Sequence, residues 1–512
     1  MKKYVLFLLL LCFCPIFFAG CGGNTEAFSS YDIKIVLDEG QHGLTGEEKV
    51  CFVNNYDNSF EELWFHLYPN AFREGAKNKV VSLANFDEAY PNGESFGHIE
   101  IEKVCFGDKE LDFEVGGEDE NILKVALEKE LFPEEQVEFV ISFKTTLPNI
   151  NHRFGYGENT INVANFYPVL CVYEEGKGFA DDLYISNGDP FYSEIANYKV
   201  QIDYSENFVL ASSGEVKESK VEQGRKKELI TANRVRDFAF VLSSKFEVAK
   251  ENLEEVEIKY FYYNDSSPKE VLQLIKKCMA FYSDKFGEYP YSQISVVQSN
   301  FVYGGMEYPN IVLISDKLSQ ESTYYVVAHE LAHQWWYAVV GNDQYNEAWV
   351  DEGLTEYSTM LFFEECKEYG FDYQTMITNA NTSFKFYYNI YKKVCKEVDT
   401  SMARALNEFE TEPEYIHSVY TQGVIMYDAL RQLVGEKKLY ACMRKYYEKM
   451  AYKNARGADL ISIFSKTSGK NLESFFDSFL YGKVIINWKN STKSYFCTIF
   501  HKISDSSCLY LD

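Results

Sequence analysis

Residues 324–340, Tyr-Tyr-Val-Val-Ala-His-Glu-Leu-Ala-His-Gln-Trp-Trp-Tyr-Ala-Val-Val, decide how this chain reads. The run is apolar, helix-length, and followed by Gly341, a residue type that stops helices. The spacing therefore predicts one helix over 324–340 with His329-Glu330-Leu331-Ala332-His333 at its middle. On a helix, His329 and His333 stand one turn apart on one face. Two imidazoles so placed can grip a single zinc ion at about 2.0–2.1 Å each. Glu330 then points beside the metal, where a carboxylate can take a proton from water activated there. A zinc ion that does chemistry needs a third protein ligand and one open position. Glu352 is the candidate, separated from His333 by 18 intervening residues (334 to 351), at the start of a second helix-length run to about Cys366. Glu356, one turn further on, reads equally as a partner behind a ligand histidine and as a solvated helix residue.

Working outward, residues 417–434 form another helical run closed by Gly435, with Tyr420-Thr421-Gln422-Gly423 near its start. Upstream, residues 268–286 predict a helix, with Ser266-Ser267 as candidate caps. Strands are expected at 257–263, 294–298 and 311–314. From 31 to 246, short runs rich in Val, Ile, Phe and Tyr alternate with turn residues, as at 31–37, 50–54, 137–143, 198–204 and 238–242. That is an all-β pattern of sheets stacked on one another. The expected fold is multidomain α+β: an all-β stacked-sheet domain at 31–247, then an α/β-then-helical catalytic domain at 248–482. Residues 483–512 form a polar tail of no clear period, to which no role is assigned.

The chain has 512 residues, 46% hydrophobic and 25% charged, with 40 Tyr and 40 Phe to fill a large core. Eleven prolines argue against long disordered linkers. The formal charge of −27 repels phosphate backbones and disfavours nucleic-acid partners.

Lys2 and Lys3 precede an apolar run, residues 5–18, which ends in Phe18-Ala19-Gly20-Cys21. A basic start, an apolar core and small residues before a cut site read as an export signal over 1–20. The Cys after Ala-Gly resembles the lipobox of bacterial lipoproteins, with Phe where Leu is usual. That resemblance implies cleavage before Cys21 and lipid on its sulfur, with 21–30 as tether and the protein outside the cytoplasm on the cell membrane. An uncleaved N-terminal anchor is the other reading. Beyond Cys21 nine cysteines remain, an odd number with wide spacings and no Cys-x-x-Cys. Neither a disulfide framework nor a cysteine zinc site is expected, and most should be small buried hydrophobes.

Several pieces together resemble the M1 metallopeptidases, zinc aminopeptidases of the gluzincin type. They are Gly304-Gly305-Met306-Glu307-Tyr308-Pro309, the His-Glu-x-x-His run, residues 349–357 and Tyr420-Thr421-Gln422-Gly423. Phe65-His66-Leu67-Tyr68-Pro69-Asn70 and Gly188-Asp189-Pro190-Phe191 resemble the short bacterial members. The resemblance implies a thermolysin-like catalytic domain holding one Zn²⁺ per chain on His329, His333 and Glu352, with Glu330 as general base and acid. It assigns Tyr420 to the oxyanion, and Gly304, Gly305, Met306 and Glu307 to the substrate. Physical reasoning supports the last group: glycines let a peptide backbone approach as an added strand, and Glu307 offers a carboxylate to a free α-ammonium. The expected activity is removal of N-terminal amino acids from peptides with a free N-terminus.

Two departures stand out. The family's Asn is Tyr308 here, which puts the strictness of amine recognition in question. The sequence also ends soon after the catalytic part, so a more open pocket is expected. A zinc endopeptidase or broader peptide hydrolase, and a non-catalytic peptide-binding lipoprotein, are the alternative readings.

Overall fold

The computed structural model describes residues 27–395 and 398–482, with the backbone of strands Val484–Ile486 and Leu509–Leu511. The signal at 1–20, Cys21 and most of the tether and tail lie outside the described residues. Among the described residues no helix is long and apolar enough to cross a membrane.

The first part is built of sheets. An eight-stranded sheet has Ser29–Asp38 at its centre, paired in parallel with Ala196–Ser205 and antiparallel with Gly43–Val53. Alternation sets which way the strand faces. Tyr31, Ile33, Ile35 and Leu37 are buried, while Lys34, Val36 and Asp38 face water. Two four-stranded sheets share its core, with Phe65, Val125, Val163 and Val241 among the buried residues. Residues 68–89 depart from the all-β expectation. They hold two short 3-10 turns, Tyr68–Phe72 and Leu83–Asn85, and the helical turn Phe86–Ala89.

A five-stranded sheet opens the second part, in the order Glu247–Leu253, Val256–Tyr262, Gln293–Ser299, Ile311–Ser315, Gly305–Met306. Both its faces are covered. Ile258, Tyr260, Ile294, Val296, Val312 and Ile314 join the helical core. Phe261, Val297, Ile311 and Leu313 join the core of the β part.

The helix Pro268–Phe286 has the expected bounds, but Ser267 makes no side-chain cap. Asp265 instead accepts from the Ser267 N–H at 2.7 Å, closing the turn one step earlier. The motif helix is shorter than the apolar run suggests. It spans Gln320–Ala332, with His333 as its cap residue, so the histidine pair sits at its C-terminal end rather than mid-helix. Beyond it, Trp336 leaves helical geometry (φ −107°, ψ 59°). Two adjacent indoles must both be buried and bonded. Trp335 donates to the Gly287 carbonyl at 2.8 Å and Trp336 to Ser358 Oγ at 3.0 Å, in different directions. Gly341 is therefore not the helix stop; it lies in the short strand Val340–Gly341.

The helices Glu352–Glu365 and Gln422–Val434 cross at a pair of glycines. A Cβ on Gly423 would lie 2.7 Å from the Gly353 Cα. The helical stretch carrying Tyr420 starts earlier than expected, at Glu412, and passes through the wider turn His417–Thr421. Among the described cysteines there is no disulfide. Only Cys171, Cys278 and Cys442 are buried, and Cys395 is exposed, so burial is less general than composition suggested. From the glycine crossing, Gly423→Ala should destabilise the protein by about 1–3 kcal/mol through overpacking. The shift in the urea unfolding midpoint measures it.

Candidate metal and peptide-binding centre

Three side-chain atoms meet at the end of the motif helix. His329 Nε2 and His333 Nε2 are 3.2 Å apart, and Glu352 Oε2 lies 3.4 Å and 3.2 Å from them respectively. Four ligands around zinc at about 2.0–2.1 Å stand about 3.3–3.4 Å from one another in a tetrahedron. The triangle has that size. Glu352 Oε2 is buried and makes no hydrogen bond, as a metal-directed oxygen would be. The far side of each ring fits too. His333 Nδ1 lies 3.1 Å from the Trp336 carbonyl, which can only accept, so that nitrogen carries the proton and Nε2 is left for a metal. His329 Nδ1 lies 2.8 Å from Glu356 Oε2. Glu356 thus stands behind a histidine rather than in solvent. Tyr325 donates to its other oxygen at 2.5 Å.

Electrostatics favour a cation here. Burial disfavours charge on both rings, yet neighbouring carboxylates, Glu352 foremost, hold both above the ordinary histidine range, His333 to about 10. Burial likewise works to raise Glu352, but His333 and His329 hold it below the usual carboxylate range. The field that draws protons to this point also draws a dication.

Glu330 lies beside the triangle. Burial raises its pKa to about 7, against the pull of the two imidazoles. Its carboxylate packs on Gly305, where a Cβ would collide with it. Gly305 and Met306 form the edge strand, antiparallel to Ile311–Ser315, with one side free for a further strand. The glycine therefore serves two ends, an approachable edge and room for the Glu330 carboxylate. Tyr420 Oη donates to Glu352 Oε1 at 2.6 Å. The Gly353–Gly423 crossing brings it within reach.

Glu307 is buried (3% exposed). Gln344 donates to it at 2.9 Å and to Asp351 at 2.8 Å, tying the Glu307 loop to the residue before Glu352. Gln334, next to His333, donates to the Glu307 and Tyr308 carbonyls and accepts from the Asn310 N–H. Tyr308 turns away from the site and donates to Asn165 of the β part at 2.9 Å. It anchors the loop to the β part.

Asp189, from the β part, was not singled out by sequence reasoning. Ligand atoms of Asp189, Glu307 and Glu352 all lie within 4.8 Å of one another. Burial raises Glu307 strongly and Asp189 as well, with Asp189 adding to the rise of Glu307 and Glu352 to that of Asp189. Arg153, 2.7 Å from Asp189, is the opposing charge. The only sequence signal was the Gly188-Asp189-Pro190-Phe191 motif. Gly188 has φ +61°, and a Cβ there would lie 2.6 Å from Tyr415 Oη.

The β part is also tied to residues 409–412 of the second part. Asn187 donates to the Phe409 carbonyl at 3.1 Å, and Ser82 and Asn85 donate to Glu412 at 3.0–3.4 Å.

Residues 270–479 match the model of the Peptidase family M1 domain. Endoplasmic reticulum aminopeptidase 2 of Homo sapiens is 27% identical over 229 residues, 40% of this chain and 22% of that protein. Aminopeptidase N of Lactococcus lactis subsp. lactis is 26% identical over 232 residues, 41% of this chain and 26% of that protein. The chain thus matches about a quarter of the length of these relatives. The fold is similar to the crystal structure of the M1 zinc metallopeptidase from Deinococcus radiodurans, with a TM-score of 0.63 at 16% identity, covering 89% of this chain and 94% of that one. A structure of a mutant of that protein with a Tyr-Ser-Ala substrate matches with a TM-score of 0.61 at 17% identity, covering 89% of this chain and 94% of that one.

Glu356→Gln should weaken zinc binding by about 10–100-fold while leaving the fold intact, because it replaces the charged acceptor behind His329 with a neutral amide. Competition with a chromogenic chelator measures it.

Proposed function

The chain carries a Peptidase family M1 domain over residues 270–479, and from this premise we propose that the protein is a zinc-dependent aminopeptidase. Its substrates are peptides with a free N-terminus, and its products are one amino acid and a peptide shorter by one residue. One observation carries the reading. The carboxylates of Glu307 and Asp189 lie beside the His329–His333–Glu352 triangle, where they can hold a free α-ammonium next to the metal ligands. Zinc held by these three residues would make water acidic enough to lose a proton near neutral pH and would polarise a scissile carbonyl.

The chain's own residues do the rest. The edge strand Gly305–Met306 pairs with the substrate backbone. Glu307, with Asp189 beside it, receives the α-ammonium, so only the first peptide bond reaches the metal. Glu330 takes a proton from the attacking water and gives it to the leaving amine. The Tyr420 hydroxyl, now on Glu352, turns its hydrogen bond to the oxygen on which negative charge develops. The Glu307–Asp189 carboxylate pair favours the aminopeptidase over the endopeptidase reading, because it offers a partner to a free α-ammonium. Intact acid, base and ligand side chains speak against a purely binding role.

Export and lipid attachment at Cys21, with residues 1–20 as signal and 21–30 as tether, are part of this proposal. They rest on the sequence of residues 1–24 alone.

The deciding assay compares an aminoacyl chromogenic amide with its N-acetylated form. Cleavage of the first and not the second is expected, and equal cleavage would sink the aminopeptidase reading. Glu330→Gln should keep zinc and fold but lose at least about 100-fold in kcat, within the range for general acid–base catalysis; near wild-type turnover would refute its role. Cys21→Ala should abolish incorporation of labelled palmitate, and unchanged labelling would remove the anchor from the proposal.

A further inference from the structure

The irregular turn after the motif helix is held by a side chain of the β part. Arg236 lies between the strands Arg225–Val235 and Phe240–Ser243 and is 2% exposed. Its Nε donates to the Tyr337 carbonyl at 2.7 Å. Nη2 donates to the Lys453 carbonyl at 2.8 Å, and Nη1 to the Ser193 carbonyl at 3.1 Å and to Asn454 Oδ1. A Cβ on Gly341 would run into this guanidinium, which explains why glycine stands there. Tyr337 directly follows Trp336, whose carbonyl is the acceptor for His333 Nδ1 at 3.1 Å. The Trp336 indole is fixed from the other side by Ser358 at 3.0 Å.

We propose that Arg236 is a positioning residue for the metal site. By fixing the Tyr337 carbonyl it fixes the neighbouring Trp336 carbonyl, and that carbonyl orients the His333 imidazole with Nε2 toward the metal. The inference rests on the reading of His333 as a zinc ligand and deepens it. Two physical points favour it over a role in joining the two parts alone. A buried guanidinium is costly, and an apolar side chain of similar volume would join two surfaces at no such cost. The rigid planar fork also suits the pattern, since one group reaches acceptors in three separate chain segments, which a lysine's point charge cannot do at once. The histidine helix has already ended at this point, and Trp336 and Tyr337 depart from helical φ/ψ within the wide turn Gln334–Val339, so regular α-helical hydrogen bonding does not set the Trp336 carbonyl.

The test compares Arg236→Met and Arg236→Lys with a control, Arg225→Met. Arg225 is paired with Glu39 and Asp203 within the β part, away from the turn. Zinc affinity is read by chelator competition, and the cobalt(II)-substituted proteins by their visible absorption. Arg236→Met should bind zinc about 10–100-fold more weakly, as expected for loss of support behind a ligand, with a displaced cobalt band. Arg236→Lys should recover part of both. Arg225→Met should move the unfolding midpoint but neither metal readout. Folded Arg236 variants with wild-type zinc affinity and cobalt spectrum would overturn the proposal. If Arg236→Met does not fold, Gly341→Ala, which pushes the guanidinium off Tyr337, gives the same two readouts with the same meaning. Wild-type protein that binds no zinc would instead overturn the parent reading, and this one with it.

Discussion

Three donor atoms from two helices, each 3.2–3.4 Å from the others, set the terms for everything around them. Bringing them together gathers Glu307, Glu330 and Glu352 into a buried space with Asp189 at its rim. Buried carboxylates so close repel one another and forfeit hydration. The structure answers with neutral donors and with a cation at Asp189. Gln344 bridges Glu307 and Asp351, Asn342 donates to Asp351 at 3.0 Å, and Arg153 faces Asp189. The negative charge that remains is the feature a metal ion and a substrate ammonium would both relieve.

Geometry at this density needs close backbone approach. Gly305 leaves room for the Glu330 carboxylate, and the Gly353–Gly423 crossing lets the Tyr420 hydroxyl reach Glu352. Each sits inside a motif that sequence reading ties to substrate or metal. In the structure, part of each glycine's reason is a neighbouring side chain or helix of the protein itself.

What was legible in the sequence was local. The i, i+4 histidines, the glutamate at a fixed offset and the alternation of Ser29–Asp38 follow from periodicities of one element. What was not legible was contact across the chain. The apolar run 324–340 gives no sign that the helix ends at Ala332, because the bonds that shape the turn come from Gly287, Ser358 and Arg236. Tyr308 gave no sign of its partner Asn165, 143 residues upstream. Asp189 lay in a quoted motif, yet its neighbours Arg153, Glu307 and Glu352 are scattered over the chain.

The five-stranded sheet is packed on both faces, with Phe261, Val297, Ile311 and Leu313 embedded in the core of the β part. Swinging the two parts open like jaws would strip these side chains of their neighbours and wet them. The molecule is therefore a fixed frame. Any ligand of the centre would then have to enter and leave without the two parts separating.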